Sequence, residues 1–162
     1  MIVVDASVLA VALADDGQDG DHARARLRRE QLTAPGLVDL EVASVWRRQI
    51  RDGAMDARRA ALALADLAAL PLRRAAHQPL LARCWELRDK LTIYDASYVA
   101  RRWEAGHRHV EIGLNQLYAN AALARLRRGL TAALEVTLLT GDGRLARSTG
   151  PRCPIEVLRS AP

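Results

Sequence analysis

Three observations predict an α/β fold with three layers, a central, mostly parallel sheet flanked by helices. Short apolar runs without polar alternation, Ile2-Val3-Val4 and Leu138-Leu139 above all, suit strands buried on both faces. Longer stretches with helical periodicity separate those runs, the alternation that builds parallel sheets. Turn formers and capping residues punctuate the joins.

In chain order, residues 1–5 predict a short buried strand and residues 6–13 turn helical behind it. Residues 15–20, rich in aspartate and glycine, predict a loop, and 22–31 a charged, exposed helix. Residues 32–36 predict a strand and turn, and 37–51 a helix that Asp52-Gly53 ends. Asp39, facing the same way as Arg47, is expected in solvent. The alanine- and leucine-rich stretch 56–70 is helical, and 71–74 suits an edge strand. Pro79 opens a helix running toward Lys90, and Thr92 suits the cap of the helix that carries Asp95. Residues 136–140 predict a central strand, 143–147 a turn or short helix, and 155–158 a last strand.

With 162 residues and half of them hydrophobic, the chain suits one domain, 1–162, with a substantial core. No linker or low-complexity tract divides it. No run of about eighteen uncharged apolar residues is present, so no membrane span is expected. The start, Met1-Ile2-Val3-Val4-Asp5, lacks the basic opening and cleavage site of a signal peptide. Cys84 and Cys153 lie far apart without C-x-x-C spacing, which favours reduced thiols and a cytoplasmic location. The net charge of +5 is carried almost wholly by arginine, Lys90 being the only lysine. Arginine pairs with phosphate through two parallel donors, but coding bias accounts for the charge equally well.

Four acidic residues lack an easy structural explanation: Asp5, Glu41, Asp95 and Asp142. Asp5 and Asp142 follow predicted strands, where parallel sheets gather functional groups. Asp95 opens a helix, and Glu41 lies among Val38, Val42 and Val45 on an apolar helix face. Carboxylates converging in a core repel one another and lose hydration unless they share a cation. A divalent metal site used to cut a phosphodiester accounts for all four. Taken singly, Asp5 also suits a helix cap, Asp95 the helix dipole and Asp142 an ordinary turn. Ser7 and Thr140 are placed to hydrogen-bond a ligand carboxylate or a phosphate, or simply to cap. Arg144 is a candidate for the scissile phosphate, and equally a surface arginine near a turn. Trp46, Trp85 and Trp103 suit core or interface rather than base stacking.

The opening Ile2-Val3-Val4-Asp5-Ala6-Ser7, Glu41 within residues 35–42, the stretch Leu91-Thr92-Ile93-Tyr94-Asp95-Ala96-Ser97-Tyr98 and the stretch Leu138-Leu139-Thr140-Gly141-Asp142-Gly143-Arg144 together resemble PIN-domain ribonucleases. They are most similar to the VapC toxins of bacterial type II toxin–antitoxin pairs. The resemblance implies a PIN-like fold and a metal-dependent endoribonuclease that cleaves RNA, tRNA or rRNA, with metal-activated water. It also implies a homodimer, neutralised by a cognate VapB-type antitoxin. It gives Asp5, Asp95 and Asp142 to Mg²⁺ or Mn²⁺, directly or through water, and hard oxygen donors suit those ions. It gives Glu41 a bound water or a second metal position.

The chain departs from that pattern at residues 101–130, which read as a helical insertion with Arg101, Arg102, Arg108, Arg125, Arg127 and Arg128 against Glu104 and Glu111. A surface excursion of this kind must leave and return at one place. The rival expectation is a catalytically inactive PIN-fold module that binds RNA or a protein. A DNA nuclease is a third, though no helical clamp for duplex DNA is evident.

Overall fold

The computed structural model describes residues 1–107, 137–140 and 155–157, and at 102–107, 155 and 157 the backbone alone. A five-stranded sheet in the order β3-β2-β1-β4-β5 forms from β1 (Ile2–Val4), β2 (Leu32–Pro35), β3 (Leu72–Ala75), β4 (Thr137–Thr140) and β5 (Ile155–Val157). Every pairing is parallel. Ile2 is level with Leu32 on one side and Thr137 on the other, and Val4 with Leu139. Successive strand residues point to opposite faces. All of β1 and β2 and most of β4 are buried, so helices must cover both faces.

The helices are α1 (Ala6–Ala14), α2 (Gln18–Leu27), α3 (Val38–Arg51), α4 (Ala57–Ala69), α5 (Leu81–Glu86) and α6 (Ile93–His107). Helices α2, α3 and α4 pack against α1. Helix α6 lies on β1, β2 and β4, with α5 against it. The core runs from Val3, Val4 and Leu9 through Val38, Val42 and Trp46 to Tyr98, Leu138 and Leu139. Trp46 is 1% exposed, and its indole N–H donates to the carbonyl of Ala10 at 3.2 Å, tying α3 to α1. Asp56 caps α4, its carboxylate accepting from the amides of Arg58 and Arg59.

Three expectations change. Helix α2 begins four residues before the expected start, because Gly20 is a packing residue and not part of a loop. A Cβ on Gly20 would stand 1.8 Å from the carbonyl oxygen of Asp15, so only glycine lets α2 come this close to the end of α1. Arg24 then closes the joint, donating to the carbonyls of Ala12 and Asp15. The helix expected from Pro79 to Lys90 divides into a 3₁₀ turn, Gln78–Leu80, and the short α5. Asp39 is only partly in solvent: Arg74 of β3 donates to it at 2.7 Å, joining the first turn of α3 to the edge strand. Of the sequence's tryptophans, Trp46 is core, whereas Trp85 is 64% exposed beneath the Arg88 guanidinium.

Arg101, the first residue of the expected insertion, is buried on α6 and donates to Thr33 Oγ1 from Nε and Nη2 at 2.9 and 2.8 Å. The Thr33 hydroxyl in turn donates a hydrogen bond to the carbonyl of Arg73 at 3.0 Å. The backbone of α6 continues to His107, and residues 108–130 lie outside the described residues. Truncating Trp46 should cost about 3–5 kcal/mol of unfolding free energy, read as a lower urea midpoint for Trp46→Ala.

Candidate active site

The strand order defines where a site can form. Strands β1, β2 and β3 are laid down in one direction across the sheet, and β4 and β5 then extend it from the other side of β1. The connections therefore diverge between β1 and β4, leaving a crevice beyond their carboxyl ends, the usual place for a ligand in such sheets. Asp5 is the first residue past β1, and Thr140 is the last of β4. The amide of Asp5 donates to the carbonyl of Leu139 at 3.0 Å, so the sheet ladder itself places this carboxylate at the crevice.

Asp5 occupies the N-cap position of α1 but makes no side-chain capping bond, which removes the simple capping explanation. Instead its Oδ2 accepts from the hydroxyls of Thr140 at 2.6 Å and Ser7 at 2.8 Å. Ser7 and Thr140 thus hold a carboxylate at the crevice. Burial raises the Asp5 carboxyl above its usual range, and repulsion from Asp95 adds to the rise. The Thr140 and Ser7 hydroxyls and the Ala6 backbone oppose it.

Glu41 stands in the first turn of α3, which starts just past the carboxyl end of β2. The Tyr98 hydroxyl of α6 donates to its Oε2. Burial is again the first cause of an upward shift at Glu41, followed by the opposing Tyr98 bond and then by repulsion from Asp5 and Asp95. Asp95 lies in the first turn of α6, half-buried. Its amide donates to Thr92 Oγ1 at 3.1 Å while Thr92 donates to its Oδ2 at 2.8 Å, a reciprocal cap. Asp95 thus braces a helix start and also repels the other two carboxylates.

The structure brings together Asp5, Glu41 and Asp95 with Ser7 and Thr140. Asp142 and Arg144 lie outside the described residues. The sequence reading did not single out Tyr98, although its position three residues after Asp95, on the same helix face, was a usable signal.

The donor set suits a hard divalent cation, being made of carboxylate oxygens. In a chain rich in arginine, none of the three carboxylates forms an ion pair among the described residues; hydroxyls hold them instead. Their mutual repulsion is therefore not relieved by any ion pair among the described residues. No three of His, Cys, Asp and Glu among the described residues are arranged to enclose an ion by themselves.

A crevice at the switch point of a parallel sheet, walled by repelling carboxylates, marks an α/β protein of the PIN type. The PIN domain model matches residues 2–101, which include Asp5, Glu41 and Asp95. Ribonuclease VapC9 of Mycobacterium tuberculosis is 37% identical over 161 residues, covering 98% of each chain. Ribonuclease VapC1 of the same species is 34% identical over 158 residues, covering 97% of each. Ribonuclease VapC12 is 30% identical over 158 residues, covering 98% of this chain and 99% of that one. The chain belongs to the PIN-domain family, among the VapC proteins.

The raised carboxyl of Glu41 has a consequence for stability. A carboxyl whose folded value exceeds its unfolded one costs nothing while both states are protonated, below the ordinary value of 4.5. The cost develops as pH climbs past that value and is complete above the folded one. Glu41→Gln keeps an acceptor for Tyr98 and removes the charge. In EDTA it should melt above the wild type at pH 7, with the gain vanishing toward pH 4; equal melting at pH 7 would refute the electrostatic argument.

Proposed function

We propose that this chain is a metal-dependent endoribonuclease toxin that hydrolyses RNA phosphodiester bonds. The observation that carries the reading is the gathering of Asp5, Glu41 and Asp95 at the β1–β4 crevice, with burial and mutual repulsion raising two of them. Similarity to proteins named ribonucleases along nearly the whole chain supports RNA as the substrate class.

Asp5 and Asp95, with Asp142, would hold Mg²⁺ or Mn²⁺. A bound ion of this kind supplies Lewis-acid stabilisation of the phosphate and makes a water nucleophilic near neutral pH. Ser7 and Thr140 fix the rotamer of Asp5, so that its charge meets the crevice in one orientation. Thr92 does the same for Asp95. Glu41 orients the attacking water and accepts its proton, a task that suits a carboxyl held above its ordinary range. Arg144 and other arginines would contact phosphates. No helix among the described residues is long and apolar enough to cross a membrane. A cytoplasmic homodimer with tRNA or rRNA as target, silenced by a VapB-type antitoxin, completes the proposal.

The deciding experiment incubates end-labelled tRNA and rRNA fragments with the wild type or Asp95→Asn, in Mn²⁺ or EDTA. Asparagine keeps an acceptor for Thr92 and removes the charge. Discrete cuts should need Mn²⁺ and fall at least about 100-fold in the variant, while RNA affinity stays near the wild-type value. RNA binding without cuts, identical in the two proteins, would refute the enzyme and leave an inactive PIN-fold binding module.

A further inference from the structure

We infer that Tyr98 is a positioning residue of the site, its phenol hydroxyl fixing the carboxylate of Glu41 in the orientation the reaction needs. The inference rests on the proposed role of Glu41 in phosphodiester cleavage.

Tyr98 is 2% exposed and among the largest fully buried side chains, so its ring has one place to sit. It lies three residues after Asp95 on α6, and its hydroxyl reaches across to Glu41 on α3. One hydrogen bond therefore connects the two helices that carry two of the carboxylates. Glu41 has a long, flexible side chain, and the Tyr98 hydroxyl is its hydrogen-bond donor among the described residues. Oε2 is engaged, whereas Oε1 accepts no hydrogen bond from the described residues, so the two oxygens are not equivalent. Freezing such a side chain before substrate arrives removes an ordering cost from the reaction.

A phenol suits the task better than the arginines the chain uses elsewhere. It donates one hydrogen bond without cancelling the negative charge of its acceptor. With an ordinary phenol value of about 10, the hydroxyl is a donor at neutral pH.

The test is a double-mutant cycle on the full chain, using Tyr98→Phe, Glu41→Gln and the two combined, in Mn²⁺-dependent cleavage of the RNA fragments. Phenylalanine keeps the buried ring and removes only the hydroxyl. Tyr98→Phe should lower kcat by about 10-fold or more with KM unchanged, the usual scale for a supporting hydrogen bond. In the Glu41→Gln background it should lower kcat no further. Wild-type kcat in Tyr98→Phe, beside an impaired Glu41→Gln, overturns the inference and leaves the nuclease reading intact. An undiminished effect in the Glu41→Gln background overturns it too, since Tyr98 would then act elsewhere. Full activity in Glu41→Gln overturns the role of Glu41 and the inference with it. Proton NMR of the metal-free protein supplies a measurement that needs no Tyr98 variant. A downfield Tyr98 hydroxyl proton should be present in the wild type and lost in Glu41→Ala; its absence from the wild type overturns the inference.

Discussion

The burial of β1 on both faces is the constraint from which the site follows. Its three residues are all buried; Ile2 and Val3 pair with β2 and all three pair with β4, in parallel. A one-residue slip would turn Val3 and its neighbours to opposite faces and break the packing on both sides at once. The register is therefore fixed, and with it the point at which the chain first leaves the sheet. That point is Asp5. Its carboxylate is placed by the core of the protein, so the position of the charge is as firm as the fold.

Helix α6 supplies the second reference. Asp95, Tyr98 and Arg101 recur every three residues along one side, and each makes a different bond. Asp95 braces its own helix start with Thr92, and Tyr98 reaches α3 through Glu41. Arg101 reaches β2 through Thr33. The last bond sets the helix against the centre of the sheet, because Thr33 is level with Val3 of β1. Shifting α6 would break a buried guanidinium contact, a far larger cost than losing an exposed ion pair. The separation of Asp95 from Asp5 is thus governed by bonds deeper in the structure than either carboxylate.

Much of this was legible in the sequence. The unbroken apolar runs at Ile2-Val3-Val4 and Leu138-Leu139 identified central strands, and Glu41 betrayed itself by lying among valines on a buried face. Less legible were contacts set by shape across the chain. Gly20 looked like a loop former because glycine usually is, whereas here its missing Cβ admits a carbonyl oxygen. Asp39 looked solvated because helical periodicity cannot reveal that Arg74 waits on a neighbouring strand. Arg101 opened a run of arginines and shared their surface appearance, yet it is buried and donates to a threonine. Tyr98 was hidden for the opposite reason, since a tyrosine among Ala96, Val99 and Ala100 looks like ordinary core.

The choice of donors explains how an arginine-rich chain keeps a negatively charged crevice. Arginines pair with Asp21, Glu30, Asp39 and Glu156 elsewhere in the structure. At the crevice the partners are Ser7, Thr92, Tyr98 and Thr140, all hydroxyls. An arginine there would satisfy the same oxygens, but it would also neutralise them and draw their pKa values down. Hydroxyls divide those two effects, holding an oxygen in place while leaving its charge unspent. The repulsion among Asp5, Glu41 and Asp95 then persists as a destabilising contribution in the metal-free protein, as is common where a site is organised for function ahead of stability. An incoming divalent cation would meet carboxylates already oriented and not yet paired. On the proposed function, the same repulsion that weakens the metal-free fold would favour the binding of that cation.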